Sequence, residues 1–150
     1  MQIRAVTRAD RDEWARMRAA LYPDPPVREI DDWLDATESG GTHPVGVAVL
    51  VADRGDGTLA GFAEIGSRSY AEGCDSTPVA YLEGWYVDPD ARRNGLGGRL
   101  LRAAEAWAGA NGFTEMASDA ELDNEVSLRA HRALGFDEVE RQVCFRKRLA

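Results

Sequence analysis

The chain lacks the features that would place it in a membrane, on nucleic acid or among disulfide scaffolds. No apolar run in its 150 residues approaches the roughly 20 needed to cross a bilayer. Arg4, Arg8 and Asp10 charge the first residues and no apolar stretch follows them, which argues against export. Cysteine occurs twice, at Cys74 and Cys144, in dissimilar contexts that make neither a disulfide framework nor a metal-ligand spacing. A cytoplasmic protein with free thiols, no metal and no membrane contact is expected. The net charge of −8 argues against a nucleic-acid partner, because such binding rests on neutralising phosphates with Lys and Arg. Repeats, linkers and breaks in composition are absent, so residues 1–150 read as one domain, large enough to bury a core beside a small-molecule cleft.

What is present is charge in clusters. Asp24, Glu29, Asp31, Asp32, Asp35 and Glu38 fall in one stretch, Glu72, Asp75 and Glu83 in a second, and Asp119, Glu121, Asp123 and Glu125 in a third. Cations gather between Arg92 and Arg102 and again at Arg141, Arg146, Lys147 and Arg148. For any single carboxylate a solvated surface is the simpler reading. Taken as a set, the clusters describe an acidic cleft that attracts a polycation beside a basic patch that attracts phosphates.

The pattern of apolar residues predicts a mixed sheet covered by helices on both faces. Residues 2–6 alternate as a strand, and Thr7 caps a helix to about Leu21 with Trp14, Met17 and Leu21 on one side. Tyr22-Pro23-Asp24-Pro25-Pro26 breaks that helix, and a second follows with Ile30, Trp33 and Leu34 inward, ended by Gly40-Gly41. Val45–Ala52 and Leu59–Ile65 read as strands joined through Arg54-Gly55-Asp56-Gly57. Val79–Val87 is the next strand, on which Tyr81, Glu83 and Trp85 share a face. A long amphipathic helix from Leu96 to about Asn111 follows, then a short strand at 114–118, a helix at 125–134, and one or two final strands between Phe136 and Leu149.

Between the Val79–Val87 strand and the long helix lies Arg92-Arg93-Asn94-Gly95-Leu96-Gly97-Gly98. Amides at a helix start are unpaired and the dipole there favours an anion. Glycines let successive amides turn toward one phosphate, with Arg92, Arg93 and Arg99 adding positive charge. Alone, the turn is equally a tight strand-to-helix connection. A dinucleotide fingerprint beginning at Gly95 would need glycine where Leu100 stands, and the Gly-Lys-Ser/Thr of a P-loop occurs nowhere.

With a strand before it and a helix after it, Arg92, Gly95 and Gly97 match the Arg-x-x-Gly-x-Gly/Ala signature, and the chain resembles the GNAT superfamily of N-acetyltransferases. Asn124, Ser127 and Gly135-Phe136 make a second match, except that His131 stands where members usually carry tyrosine. A narrower likeness runs through Tyr22-Pro23, Gly73-Cys74-Asp75-Ser76, Leu82-Glu83-Gly84, Met116-Ala117-Ser118-Asp119 and His131. It continues through Ala133-Leu134-Gly135-Phe136 and the ending from Glu140-Arg141 to Arg148. These segments are similar to aminoglycoside acetyltransferases that modify the 6′-amine, in which histidine also replaces the tyrosine. The resemblance implies the GNAT α/β (α+β) fold, a mostly antiparallel mixed sheet of six to seven strands with a splayed central pair holding acetyl-CoA. It also implies a homodimer.

Acetyl transfer from a thioester to an amine needs a neutral amine, a donor for the oxyanion and a proton or its equivalent for the leaving thiolate. With both substrates bound together no covalent nucleophile is required, and Cys74 reads as a packing thiol. Glu83 and Asp119 are the candidates for orienting and deprotonating the amine, against a solvent-facing strand carboxylate for Glu83 and a helix cap for Asp119. The resemblance puts the pantetheine arm along Trp85, Tyr86 and Val87 and the pyrophosphate on Arg92 to Arg99, with Asn124 and Ser127 beside the arm. Asn124 is as readily a helix cap. His131 is a candidate proton donor to sulfur, or else a satisfied interior histidine. A polycationic acceptor wants carboxylates with aromatic faces between them: Asp24, Glu29, Asp75, Glu83, Asp119 and Glu140, with Tyr22, Trp33 and Tyr70. By residue type Trp33 fits the core equally well. Two rival functions remain at this stage, acetylation of another amine (a polyamine, a protein amino terminus or lysine) and a non-catalytic acyl-CoA-binding module.

Overall fold

Val49 and Val51 alternate with Leu50 and Ala52 along one strand, and that alternation divides the molecule into two apolar layers. In the computed structural model, which describes residues 1–23, 27–39 and 47–150 (the side chains of Val27 and Arg28 excepted), five strands form one sheet in the order β1-β2-β3-β4-β5. These are β1 Gln2–Ala5, β2 Ala48–Asp53, β3 Leu59–Arg68, β4 Val79–Val87 and β5 Met116–Ser118. Pairing is antiparallel from β1 to β4 and parallel between β4 and β5. Helices α1 Arg11–Leu21 and α2 Val27–Glu38 cover one face, where Trp14, Met17, Ile30, Trp33 and Leu34 pack on Val49, Val51 and Phe62. Helix α3 Leu96–Ala110 covers the other through Leu96, Leu100 and Leu101 against Ala52, Ala60, Ala63 and Leu82, and α4 Glu125–Ala133 follows β5. The hairpin between β2 and β3 turns through Gly55 and Gly57, both at φ 88°, a left-handed conformation open to glycine.

The expected layers and helices are present, with three differences. Thr7 begins a single 3-10 turn at Arg8–Asp10 before α1, and the Asp10 carboxylate reaches back to the Thr7 amide at 2.8 Å. The sheet has five strands among the described residues, where six to seven were expected. Residues 137–150 form no strand, with Val139, Val143, Phe145 and Leu149 60–93% exposed, because no strand of the described residues takes up their hydrogen bonds. The third difference is a register shift between Glu64 and Ile65 of β3, where Gly84 pairs with Glu64 and Leu82 with Ile65. Glu83 is the extra residue of this β-bulge, and a bulge breaks side-chain alternation. Tyr81 therefore packs with Ala71 and Val79, while Trp85 lies on the α3 side with Leu96 and Leu100, so Tyr81, Glu83 and Trp85 do not share a face. The predicted helix end at Gly40-Gly41 and the start of the Val45–Ala52 strand lie outside the described residues.

Candidate active site

β4 enters the glycine turn through Asp88, whose buried carboxylate accepts two hydrogen bonds from Arg16 (3.0 and 2.9 Å) and one from Arg54 (3.4 Å). Burial opposes ionisation of Asp88, but the two arginines outweigh it and leave the carboxyl below its ordinary value. Beyond it Arg93 (φ 64°) and Gly95 (φ 73°) are left-handed, an alternation that turns backbone amides toward a common point. The first bond of α3 runs from the Arg99 amide to the Gly95 carbonyl (3.0 Å), so the amides before it point outward along the axis, as at any helix start. Gly97 has a separate reason to lack a side chain: a Cβ there would stand 3.2 Å from the Trp85 indole, which donates to the Gly97 carbonyl at 3.1 Å. Arg93 and Asn94 are exposed on the turn. Arg92 donates to the Val87 carbonyl (2.8 Å) and Arg99 to the Met1 carbonyl (2.9 Å).

β5 pairs with β4 only from Ala80 to Leu82. Past that point, Glu83 to Val87 present an edge for which no strand partner occurs among the described residues, beginning at the bulge and ending at the glycine turn. His131 stands beside this opening, half-buried, edge-on to Trp85 and Phe136 with ring centroids 5.6 and 5.2 Å away. Its Nδ1 is 2.8 Å from the Ser127 carbonyl, which can only accept, so Nδ1 carries the proton of the neutral ring. Nε2 then accepts from the Ser118 hydroxyl at 2.8 Å. Asn124 caps α4, its Oδ1 accepting from the Ser127 amide at 3.1 Å.

On the opposite face the two candidate bases are joined through two other residues. Arg68 donates to both carboxylate oxygens of Glu83 (3.0 and 2.8 Å), and its guanidinium lies 3.4 Å from the centre of the Tyr81 ring. The Tyr81 hydroxyl donates to Asp119 at 2.6 Å. Burial first, and then that bond, push the hydroxyl above its usual range and keep it a donor. Tyr22 approaches from the end of α1, donating to the Glu83 carbonyl at 3.0 Å. Glu29 accepts from Arg18 at 2.9 Å. A second group sits in the loop after β3: Tyr70 donates to Glu72 (3.0 Å), and a hydrogen bond with Glu72 pushes the Glu140 carboxyl up. The exposed Asp75 lies in the same loop, fastened by Glu115, which accepts from the Asp75 and Ser76 amides (2.9 and 2.7 Å).

Trp33 requires correction. It is 3% exposed in the core between α2 and the sheet and faces no cleft, because the apolar stripe Ile30-Trp33-Leu34 seats the helix. Asp24 lies outside the described residues. Sequence reasoning passed over Arg68, Tyr81, Ser118 and the buried Glu64. Glu64 carried a signal, as a carboxylate inside an otherwise apolar strand; Arg68 carried none, since its place beside Glu83 comes from strand register.

Comparison with known proteins is consistent with this arrangement. The profile of the acetyltransferase (GNAT) family matches residues 6–136, and the chain belongs to that family. Within it, the chain is 47% identical over 148 residues to an aminoglycoside N(6′)-acetyltransferase type 1 of Klebsiella aerogenes, covering 98% of this chain and 96% of that one. A second, from Stenotrophomonas maltophilia, is 42% identical over 96% of this chain and 91% of its own. These likenesses place the chain among the aminoglycoside 6′-N-acetyltransferases. The solved structure of the acetyltransferase AAC(6′)-Iy with the bisubstrate analogue CoA-S-monomethyl-acetylneamine superposes with a TM-score of 0.85 at 35% identity, covering 99% of this chain and 98% of that one. That of AAC(6′)-Ih from Acinetobacter baumannii gives 0.82 at 34% identity over 99% of both chains.

Proposed function

We propose that the chain, acting as a single N-acetyltransferase domain, transfers acetyl from acetyl-CoA to the 6′-amine of aminoglycosides by direct attack in a ternary complex. The observation that carries this reading is the unpaired β4 edge from Glu83 to Val87, open to an extended thioester arm with the glycine turn at one end and carboxylates at the other. The residues fit acetyl-CoA: left-handed Arg93 and Gly95 and the outward amides of α3 suit its pyrophosphate, and the β4 backbone suits the amides of pantetheine. Asn124 and Ser127 border the arm, and the Trp85–Val87 backbone supplies the oxyanion donor.

On the acceptor side Glu83 and Asp119 hold and deprotonate the amine. Arg68 is a displaceable counter-ion for Glu83, since its side chain is 44% exposed and such a pair contributes only about 0–1 kcal/mol. Tyr22, Glu29, Tyr70, Asp75 and Glu140 (with Asp24) meet the remaining rings and ammonium groups. His131 reaches the leaving thiolate through Ser118. A charged ring donates from Nε2 to the Ser118 oxygen, and the Ser118 hydroxyl passes its own proton to sulfur, leaving the ring neutral and the serine unchanged.

A homodimer and a cytoplasmic location belong to the same reading. The exposed apolar residues of the 137–150 arm call for a cover, and a second copy offers one in the groove of about 270 Å³ lined by Phe113, Met116, Leu134 and Phe136. Both cysteines are free thiols, and no helix among the described residues is long and apolar enough to cross a membrane. The test is release of the CoA thiol on adding kanamycin or tobramycin to protein and acetyl-CoA. Turnover with a polyamine or a peptide amine in place of either aminoglycoside contradicts the substrate assignment.

A further inference from the structure

Behind the acceptor-side face lies a buried ion pair, Glu64 and Arg18, to which acetyl transfer as proposed assigns no role. Glu64 on β3 is 1% exposed and Arg18 on α1 is 3% exposed. Glu64 Oε1 accepts from the Trp14 indole at 3.1 Å and lies 3.3 Å from Arg18 Nε. Arg18 donates from Nη2 to Glu29 (2.9 Å) and covers the rings of Trp14 and Tyr22 at 5.8 and 5.3 Å. Its Nε and Nη1 have no hydrogen-bond partner although both are buried. A buried ion pair is a poor source of stability, because removing two charges from water costs about as much as their attraction returns. An apolar pair of the same volume would serve the core better, so the cluster is to be explained by what it holds in place.

What it holds is the bulge. Glu64 pairs with Gly84, and a Cβ at Gly84 would meet the Tyr22 hydroxyl at 2.5 Å and Glu64 Oε2 at 2.7 Å. The bare α-carbon thus lets Tyr22 and Glu64 close on the strand from the same side. The Tyr22 hydroxyl spends its proton on the Glu83 carbonyl. Burial first, and then the Glu64 charge, push that hydroxyl up and keep it a donor. The same guanidinium that faces Glu64 donates to Glu29 and covers the Tyr22 ring, so one buried cation touches two carboxylates and a tyrosine.

We propose that Glu64 and Arg18 are positioning residues for the acceptor site: their buried pair seats Tyr22, which clamps the bulged carbonyl of Glu83 and so sets the direction of its carboxylate. This rests on the reading in which Glu83 acts on the acceptor amine. The groups facing Glu64 are Trp14 and Arg18 from α1, Tyr22 beyond it, Glu29 from α2 and Glu83 from β4. Burial, acting against Arg18 and Trp14, pushes the Glu64 carboxyl up to about 7. The charge behind the clamp therefore changes within the working pH range.

The test compares wild type with Glu64→Gln, Tyr22→Phe, the double variant and Glu83→Gln, measuring kcat and KM for tobramycin and for acetyl-CoA from pH 6 to 9. Each of Glu64→Gln and Tyr22→Phe should lower kcat/KM for tobramycin by about 10-fold or more, as misplaced catalytic groups do, while leaving KM for acetyl-CoA within about 2-fold. The double variant should fall no further than the worse single one, and Glu64→Gln should lose a pH inflection near 7 that wild type has. Tyr22→Phe removes one hydroxyl, so it carries the test if Glu64→Gln does not fold. Wild-type kcat/KM for tobramycin in Tyr22→Phe, additive losses, or a pH profile unmoved by Glu64→Gln overturn the proposal while Glu83→Gln remains impaired. A fully active Glu83→Gln overturns both this proposal and the reading beneath it.

Discussion

The Tyr81 hydroxyl donates to the Asp119 carboxylate at 2.6 Å, across the short parallel pairing of β4 with β5. This bond ties the two strands together just before they part, and Arg68 stacked on the same ring carries the connection to Glu83. A hydrogen bond to a charged group contributes about 1.5–3 kcal/mol, or about 10–100-fold in rate if it is fully expressed in the transition state. Tyr81→Phe should therefore lower turnover of aminoglycoside within that range without changing KM for acetyl-CoA. Steady-state kinetics with each substrate varied in turn checks it, and equal effects on both substrates would count against the assignment.

Removing the carboxylates themselves should be costlier. Glu83→Ala and Asp119→Ala should each reduce turnover by about 10²–10⁴, the range expected for a positioned general base. Wild-type rates in both variants would remove them from the mechanism.

The glycine turn should affect the other substrate. Gly95 is left-handed, and a side chain in that conformation costs about 1–2 kcal/mol. Gly95→Ala should raise KM for acetyl-CoA by about 5- to 30-fold, the same energy read as affinity, and leave KM for the aminoglycoside unaltered. Calorimetric titration with CoA alone measures this without catalysis.

Glu64 gives the protein a characteristic pH dependence of stability. Its folded-state value of about 7 lies above that of an unfolded glutamate, near ~4.3, so between the two the folded state holds the extra proton. The contribution of this carboxyl is complete below about pH 4.3 and is lost as the pH rises through 7, a change of about 4 kcal/mol. Urea unfolding of wild type and Glu64→Gln at several pH values should show their difference moving against wild type between pH 5 and 8. A constant difference would mean that Glu64 is ionised throughout.

Acidic recognition of a polycation predicts salt sensitivity. KM for tobramycin should rise several-fold between about 50 and 500 mM salt as the exposed Asp75 and Glu140 and the half-buried Glu83 are screened. A salt-independent KM would argue that apolar and hydrogen-bonded contacts dominate.

Much of the architecture was legible in short-range patterns. The period of Trp14, Met17 and Leu21 and of Leu96, Leu100 and Leu101 located helices, and Arg92 to Gly98 located the turn. Pairwise geometry was not legible. The bulge at Glu83 arises from the register of β3 on β4, and it sends Trp85 to the α3 side although simple alternation puts it beside Glu83. Arg68 stacks on Tyr81 through the same register, although residues 69–80 separate them in the chain. Trp33 was ambiguous because an amphipathic aromatic suits a sugar face and a core alike; the stripe formed with Ile30 and Leu34 decided for the core. Phe136 to Leu149 suggests one or two final strands, but no strand of the described residues pairs with this segment.

The central claim is regiospecific acetylation, and a matched pair of aminoglycosides differing only in an amine or a hydroxyl at the 6′ carbon tests it most directly. With acetyl-CoA and continuous thiol detection, the 6′-amino compound should turn over and give a single product acetylated at that nitrogen by NMR. The 6′-hydroxy compound should release no thiol above background. Equal turnover of both, or acetyl on any other nitrogen, would contradict the account.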